Sequence, residues 1–588
     1  MAKSDARFDY RANLARDSHD LSRKFGFSVA PGMLVPIFAD IATPGDAYYI
    51  SHDLTFLRTG PLAAPAMVDV KVHFESFFVP MQMIYQPFEN TIFSLSNLQS
   101  SFYSSPNLRN NSFPTFNYGS YVTNIMTSYA RASIHQDAFR LADMLELNAD
   151  NFAQTSNQPP RFSFAPSFFP WQLLTYHTIF QYYYRLDDKS QFDNQCCNWD
   201  NLYDVAQPSG GSITKMMEIH QRPWNFDYFT SLYRSPIVSD ANLQSVLSFG
   251  SYSNLVSVST GTVTNNGSAT TVNSNIRAFS ASPTTSPSQN SIQNALSSAS
   301  LRQMFANEKL AMISGRARKT YDSQVLAHFG VSVPHDVKHD LSLIGSDVYP
   351  LHIGEVTSLA QTYDSTSGSG SALGDLAGKG WSQGQGHQHK FVAPCHGVVM
   401  TIFSIEPEQR YFGSFNRINS VTNAFDIPTP EFDRLGNVPM YRYETGYTTS
   451  GGSTSDVVGW KERYYWNKRR ADKTTLGFQI STRRYATNDW ATYMIARLPY
   501  MDGATNVITS QSRPDLESSF YIPRDAVDNL MLVNFVDGWL DGTVTGETEN
   551  WNLTPWLTYY RDPFIVDSFV KVKKVSWMSK DGEPIYNF

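Results

Sequence analysis

The chain has 588 residues, 41% hydrophobic and 14% aromatic, which provides ample side chains for a large core and excludes intrinsic disorder of the whole chain. Charged residues make up only 17%, below the ~25% of typical soluble domains, so the polar surface is rich in Ser, Thr, Asn and Gln and suits contact with other subunits. The net charge of -7 excludes a polycation that condenses nucleic acid, and any nucleic-acid contact must therefore be local.

Strands are predicted near both ends of the chain and between them. Residues 33–38 are an early candidate, and residues 68–74 alternate apolar and polar side chains, which predicts one face turned to the core. Residues 398–405 are continuously apolar, which is typical of a strand buried on both faces. Such widely spaced strands indicate a β-sandwich within one domain spanning residues 1–588. Further strands are predicted at residues 492–498, 530–535 and 569–573.

Helical periodicity is rarer and falls in insertions between the strands. Residues 171–185 and 301–313 have an amphipathic pattern, and residues 134–147 repeat it. In the last of these segments one stripe is formed by Ala138, Leu141, Ala142 and Leu145.

Two segments differ in composition from the rest of the chain. Residues 235–300 are dominated by Ser, Thr, Asn and Gly and cannot carry a substantial core. Because Val, Leu and Ile still occur within them, they are predicted to form a projecting lobe of short strands or loops, and a free linker is the alternative. Residues 364–390 are Gly-rich, which predicts a loop. Neither segment divides the chain into two self-sufficient halves.

The termini and cysteines indicate the cellular compartment. The first 25 residues are polar and charged, without an apolar segment, so secretion by a signal peptide is not expected. The most apolar stretch is far shorter than the ~20 residues of a membrane-crossing helix, which predicts no membrane insertion. Cys196, Cys197 and Cys395 cannot form a disulfide framework, which favours a reducing cytoplasm.

Two histidine patterns were tested as metal sites. His335 and His339 would share one face of a helix, but a metalloprotease needs Glu at the second position, where this chain has Asp336, and Pro334 indicates a loop. A second group offers borderline and soft ligands close together, although its spacing is not diagnostic and surface histidines explain it more simply. This second group consists of His387, His389, Cys395 and His396. No metal ligands are therefore assigned.

Catalytic and cofactor motifs are weak in this sequence. Residues 374–380 are similar to a phosphate-binding loop, but the glycine spacing is short and Gly380 replaces the Ser or Thr that would hold Mg²⁺. A nucleophile elbow and a paired-cysteine zinc pattern are lacking, so neither an enzyme nor a cofactor is predicted. The alternative is a β-rich carbohydrate-binding or carbohydrate-active protein, because a glycosidase needs only two carboxylates that the fold brings together.

Basic residues cluster in three places. The first is an N-terminal basic arm, residues 1–30, and the third is Lys571–Lys574. The middle cluster runs from Lys461 to Arg470 and includes Tyr464, Tyr465 and Trp466. Basic side chains beside aromatic rings suit single-stranded nucleic acid. A solvated or subunit-contacting face is the alternative, and we favour it for the middle cluster. The candidate nucleic-acid residues are Lys3, Arg7, Arg11, Arg16, Arg463, Lys468, Arg469 and Arg470.

Ordered blocks along most of the chain carry a family resemblance. The N-terminal blocks are Asp20-Leu-Ser, residues 30–36, Pro44-Gly-Asp46 and Phe77-Phe-Val-Pro80. They are followed by residues 169–176, Asp227-Tyr-Phe-Thr-Ser231, residues 321–334 and Gly459-Trp-Lys-Glu-Arg463. In this order the blocks resemble the major capsid protein of the microviruses, bacteriophages with single-stranded DNA, and particularly the gokushovirus-like branch.

This resemblance implies an eight-stranded antiparallel jelly roll with long helical and irregular loops, assembled into a T=1 icosahedral shell of identical subunits. It implies a virion component assembled in the bacterial host cytoplasm around a circular single-stranded DNA genome. Small internal scaffolding, DNA-binding and pilot proteins are expected partners. In this branch the inserted lobe, here residues 235–300, protrudes around threefold axes and is expected to contact a host surface glycan or receptor.

Overall fold

The computed structural model describes a core of the chain and several separate shorter segments. These are residues 16–62, 66–88, 113, 116–117, 140–147, 167–186, 219–233, 261–265, 268–272, 309, 313, 326–327, 330, 340–357, 362–363, 370–371, 376–411, 413–422, 424–433, 436–445, 457–474, 496–497, 520–524, 526–527, 530 and 562–578.

Strands dominate these residues. In chain order they are β1 (Asp17–Asp20), β2 (Arg23–Val29), β3 (Val35–Ala42), β4 (Ala47–Leu62), β5 (Val70–Pro80), β6 (Phe116–Asn117), β7 (Ser167–Phe168), β8 (Gly261–Asn265), β9 (Ser268–Val272), β10 (Ser342–Pro350), β11 (His352–Thr357), β12 (Thr362–Tyr363), β13 (Gly370–Ser371), β14 (Leu376–Gly384), β15 (His389–Val392), β16 (Gly397–Pro407), β17 (Arg410–Tyr411), β18 (Asn437–Tyr441), β19 (Val457–Glu462), β20 (Ala496–Arg497) and β21 (Phe564–Ser576).

Helices are short in the described part of the chain. The α-helices described over their whole length are α1 (Met81–Ile84), α2 (Trp171–Ile179) and α3 (Tyr465–Lys468), and α2 continues into a π-helical turn, Phe180–Tyr184. The 3₁₀ turns are Arg417–Ser420, Ala424–Asp426, Pro430–Phe432 and Arg442–Thr445.

Two antiparallel sheets form the centre of the protein. In the seven-stranded sheet, β1 and β2 pair with β21, β21 pairs with β4, and β4 pairs with β14 and β15, while β11 lies outside β14. The four-stranded sheet has the order β10-β5-β16-β3. Every pairing in both sheets is antiparallel. The predicted mainly β class is therefore confirmed.

Aromatic side chains join the two sheets face to face. The ring of Phe27 on β2 lies 5.0 Å from that of Phe403 on β16, edge to face. Phe391 on β15 likewise lies 5.0 Å from Phe78 on β5. Inward side chains of two sheets interdigitate in this way to form the core of a sandwich. The antiparallel sheets thus pack as the sandwich predicted from the strand pattern.

The strand predictions succeeded for a strand that is buried on both faces and for one whose buried and exposed side chains alternate. β16 contains the apolar run of residues 398–405 and is buried along its whole length, because one face meets the opposite sheet and α2 packs on the strand. In β21, Val570 and Val572 are buried whereas Lys573 is exposed, as the alternation predicted. The strands at residues 33–38 and 492–498 are confirmed in part by β3 and β20, and residues 530–535 lie outside the described residues except Leu530.

The predicted Gly-rich loop at residues 364–390 is wrong over much of its length. Residues 376–384 form β14, which pairs with both β4 and β11. The glycines serve close packing: a Cβ atom on Gly384 would overlap the ring of Tyr349, and one on Gly380 would lie 2.5 Å from the Thr59 methyl group. The phosphate-loop similarity at residues 374–380 also fails, since this segment enters a strand and not a helix.

The helix predicted from residue 171 is confirmed, but the predicted amphipathic pattern is wrong, because the helix is buried on all sides. Every side chain of α2 from Leu173 to Ile179 is buried, which requires a helix surrounded by protein. The hydroxyls of Thr175 and Thr178 donate to the carbonyls of Trp171 and Leu174, both at 2.7 Å, so buried threonines are satisfied within the helix. The prediction of one helix to residue 185 holds with a change to π geometry in the last turn.

The other two helix predictions are only partly described. Residues 140–144 are helical, and Leu141, Ala142 and Leu145 of the predicted stripe are buried. Ala138 and most of residues 301–313 lie outside the described residues.

The Ser/Thr-rich segment at residues 235–300 is described only at one hairpin. There β8 pairs antiparallel with β9, as β-branched Val and Thr residues favour. Its projection from the sandwich stays a prediction.

Within the described residues, none of the helices is both long and apolar enough to span a membrane.

Candidate nucleic-acid interface

Arg16 is the first candidate residue that the structure describes, and Lys3, Arg7 and Arg11 lie outside the described residues. Its guanidinium lies 4.0 Å from the centre of the Trp577 ring, a cation–π contact. Next to it, β1 pairs with the end of β21 through Asp17 and Ser576. Most of the second half of the predicted arm, residues 17–29, therefore forms strands β1 and β2 of the seven-stranded sheet, and Arg16 is held against Trp577 next to β1.

Lys461 of the middle cluster is part of the core and not of a binding surface. Its ammonium group donates to the carbonyl of Tyr228 and lies 4.6 Å and 5.2 Å from the rings of Tyr228 and Tyr465. The side chain is almost wholly buried. A buried ammonium needs such partners because an unpaired charge inside a protein is costly. Lys461 thus anchors β19 and leaves the basic surface to the residues that follow.

Arg463 lies between two aromatic rings. Its guanidinium carbon is 5.6 Å from the ring of Phe432 and 5.2 Å from that of Tyr464. Tyr464 has a left-handed backbone with φ of 59°, which turns the chain from β19 into α3. This candidate is therefore half-buried and held by cation–π contacts with two rings.

The exposed cations of the cluster follow Arg463 on α3 and just beyond it. The Lys468 ammonium lies 2.5 Å from Asp433 Oδ1, and Arg469 Nε lies 3.9 Å from Glu462 Oε1. Arg470 is exposed. The pKa of Lys473 is lowered, mainly by burial and in addition by the positive charge of Arg470. Exposed ion pairs contribute only about 0.2–1 kcal/mol, so phosphates can replace these carboxylates at small cost.

The third basic cluster is largely neutralised. Lys574 lies 3.0 Å from Asp40 and 3.3 Å from the buried Asp46, and Lys571 pairs with Asp53. Burial opposes ionisation of Asp46, but the hydrogen bonds from Thr43 and Ser576 and the charge of Lys574 together outweigh it, so the pKa of Asp46 is lowered. This cluster therefore stabilises the sandwich edge.

The histidine patterns separate in space. His335 and His339 lie outside the described residues. His387 is 92% exposed, as a surface interpretation requires, whereas His389 contacts the carboxylate of Asp347 on a different strand. His396 instead lies beside Phe88, with ring centres 5.5 Å apart. The sequence pattern thus placed His387 and His389 together correctly, since both contact Asp347, but it missed Asp347 itself, which lies on a strand distant in sequence.

The chain matches the family described as Capsid protein (F protein) over residues 10–536. It is also 24% identical over 584 residues to the capsid protein VP1 of Chlamydia phage 1, an alignment that covers 87% of this chain and 92% of that protein. The family match contains the whole four-stranded sheet, α2 and every strand of the seven-stranded sheet except β21. Both matches confirm the resemblance to microvirus major capsid proteins. The chain therefore belongs to the capsid protein (F protein) family, as a capsid protein of a microvirus and a component of the virion.

Proposed function

We propose that this capsid protein self-assembles into a T=1 icosahedral shell of identical jelly-roll subunits around a circular single-stranded DNA genome. The observation that carries the proposal is the antiparallel sandwich, two sheets of seven and four strands, within a chain that matches a capsid family over residues 10–536. Sandwiches of this kind serve as wall elements because a rigid core holds long inter-strand loops in fixed positions.

The outer strands of the sandwich support contact between copies. Among the described strands, β10 and β11 lie at the open edges of the two sheets and are consecutive in the chain. Leu343 and Val348 on β10 and Val356 on β11 are nearly half exposed. Open edges with apolar side chains associate with other chains unless they are covered. In a shell these edges become interfaces between subunits.

Closed symmetry limits the growth of such an assembly. Identical subunits that meet around five-, three- and twofold axes use each interface repeatedly and end in a closed particle. Moderate contacts multiplied over many copies then give a stable shell through avidity. The low charge content of the chain suits these broad polar contacts.

Electron microscopy of the purified protein and of infected-cell lysate tests the assembly. We expect closed particles of one size with icosahedral symmetry. Monomers under every assembly condition, together with glycan binding or hydrolysis by those monomers, would instead support the alternative of a carbohydrate-binding or carbohydrate-active protein.

Genome contact is assigned to local basic groups. Lys468, Arg469 and Arg470 are exposed beside aromatic residues. The N-terminal sequence before Arg16 adds the cations Lys3, Arg7 and Arg11. Because the net charge is -7, small basic internal proteins supply most of the remaining neutralisation of the genome. Replacing Arg7, Arg11 and Arg16 with Ala should lower DNA packaging and its salt dependence. Full packaging in that variant would assign the arm to contacts between subunits.

Host attachment is assigned to the lobe at residues 235–300. Its polar, Gly-rich composition suits hydrogen bonding to a surface glycan or receptor, and the β8–β9 hairpin supplies a rigid element within it. Deleting residues 240–295 should abolish adsorption to the host and leave particles intact. Unchanged adsorption by intact particles would remove this role.

A further inference from the structure

A chain of polar side chains crosses the interior of the sandwich. His52 on β4 and His389 on β15 come from the seven-stranded sheet, and Asp347 on β10 and Ser76 on β5 come from the four-stranded sheet. The exposed fractions of the His52, Asp347 and His389 side chains are 0%, 5% and 21%. Since buried polar groups are costly in an apolar core, such a group calls for a specific role.

The three side chains converge on one point. Asp347 Oδ2 lies 2.7 Å from His52 Nδ1 and 3.1 Å from His389 Nε2. One ligand atom from each of the three residues lies within 4.8 Å of the other two. In a tetrahedral zinc site, bonds of about 2.0–2.1 Å place ligand atoms about 3.3 Å apart. Small rotations of these side chains therefore convert the hydrogen-bonded group into three ligands of one ion.

Neighbouring groups orient the ligands. His52 Nε2, the ring nitrogen that faces away from Asp347, lies 2.6 Å from Ser76 Oγ, which in turn lies 2.8 Å from Thr401 Oγ1. The Tyr349 hydroxyl donates to the His52 carbonyl at 2.5 Å. When His52 binds a metal through Nδ1, its Nε2 proton is donated to Ser76. Metal-binding histidines nearly always have such an outer partner, which fixes the ring and the tautomer.

Two glycines pack against the group. A Cβ atom on Gly345 would overlap the His389 ring, and one on Gly386 would lie 2.9 Å from Asp347 Oδ2, so glycine at both positions lets the backbone lie close to the ligands. The exposed His387 lies beside the group, where its Nδ1 is 3.5 Å from Asp347 Oδ1. The partly exposed His389 and the exposed His387 therefore mark the side of the group nearest to solvent.

We propose that His52, Asp347 and His389 form a zinc site that links the two sheets of the sandwich. Two imidazoles and one carboxylate favour Zn²⁺, whereas Ca²⁺ and Mg²⁺ need six or more oxygen ligands that this group lacks. Zinc bound here stabilises the subunit, because the ligands are held together only in the folded chain. The proposal concerns the subunit itself and does not depend on how subunits assemble.

Metal content and affinity test the site on the full-length protein. The protein is treated with a chelator, exchanged into chelator-free buffer and titrated with Zn²⁺, and retained metal is counted after gel filtration. We expect one zinc per subunit, and Co²⁺ in the same site should give the visible absorption of a four-coordinate ion. Retention of no zinc by the wild-type protein would overturn the proposal and leave the group as a hydrogen-bonded core cluster.

Variants assign the ion to these residues. His389→Gln and Asp347→Asn should each weaken zinc binding at least about tenfold, and Ser76→Ala should weaken it by about 10–100-fold through the outer partner. His352→Gln is the matched control, because His352 is exposed on β11 beside Trp381, and it should leave affinity unchanged. Wild-type affinity in His389→Gln would refute the assignment even if Asp347→Asn fails to fold, since His389 lies at the partly exposed edge.

Discussion

We predict that Phe403→Ala lowers the unfolding free energy of the isolated subunit more than the truncation of an exposed aromatic side chain does. Phe403 is wholly buried at the centre of β16, and its ring meets Phe27 of the opposite sheet at 5.0 Å and Phe74 of β5 at 5.1 Å. Truncating a buried Phe costs about 3–5 kcal/mol through lost burial and the cavity that remains. Each aromatic pair adds about 0.5–1.5 kcal/mol, which places the expected loss at the upper end of that range.

The assay measures the free energy of unfolding of the unassembled subunit, by urea titration with tryptophan fluorescence. Phe56→Ala is the matched control, since Phe56 lies on β4 of the same sandwich but is 45% exposed, and its loss should cost less than about 1 kcal/mol. A cost below about 1 kcal/mol for Phe403→Ala, or equal costs for the two variants, would refute the sandwich core described above.

Two further predictions concern charge. Replacing the exposed cations of the middle cluster with Ala should weaken binding to single-stranded DNA and reduce the slope of log K against log salt by about 2, since each phosphate contact contributes about 0.7. The three substitutions of this triple variant are Lys468→Ala, Arg469→Ala and Arg470→Ala. The control variant Lys573→Ala replaces another exposed cation and should change the slope by less than the contribution of one phosphate contact. An unchanged slope in the triple variant would exclude the surface formed by these three cations as a DNA-binding site. Burial opposes ionisation of Glu406, but the His73 imidazole at 3.0 Å and the charge of Arg222 outweigh it and lower its pKa below the ordinary 4.5. Because the pKa of Glu406 is lower in the folded state, its carboxylate stabilises the folded protein above pH 4.5, and this stabilisation is lost as the pH falls below that value. Glu406→Gln should therefore reduce the slope of unfolding free energy against pH in this acid range by up to about 1.4 kcal/mol per pH unit. An identical acid limb in the variant and the wild type would contradict this linkage.

The local sequence pattern was sufficient to predict the elements whose burial depends on their own side chains alone. The continuous apolar run became β16, the alternation near the C-terminus became part of β21, and the aromatic segment became α2. In each of these the side chains of one short segment report directly on whether one face or both faces are buried. The ordered blocks along the chain, read together, were enough to identify the capsid family.

The Gly-rich segment shows where local reading failed. Glycine favours loops when only the chain's own flexibility is considered, and residues 364–390 were predicted accordingly. The segment instead forms β14, which pairs with β4 and β11, and its glycines are needed because Tyr349 and Thr59 leave no room for a side chain at Gly384 and Gly380. These approaching residues lie far away in the sequence, so the reason for each glycine is a tertiary one.

For the basic clusters, too, the sequence pattern predicted only part of what the structure shows. Pattern located the cations beside aromatic residues, but it could not show that Lys461 is buried against Tyr228 or that Lys574 is paired with Asp40 and Asp46. The exposed part of the middle cluster is therefore smaller than its composition indicated. Ion pairing is decided by which strands become neighbours, and no local spacing records that.

Sequence by itself determined the β class, the buried strand, the aromatic helix and the capsid family, since these depend on periodicity and on ordered motifs along the chain. Only the tertiary structure decided which residues meet between the sheets. His52 and Asp347 are 295 residues apart, and their contact arises because β4 and β10 face each other across the sandwich. Side chains on opposing sheets are brought together by strand order and register, which are properties of the whole fold.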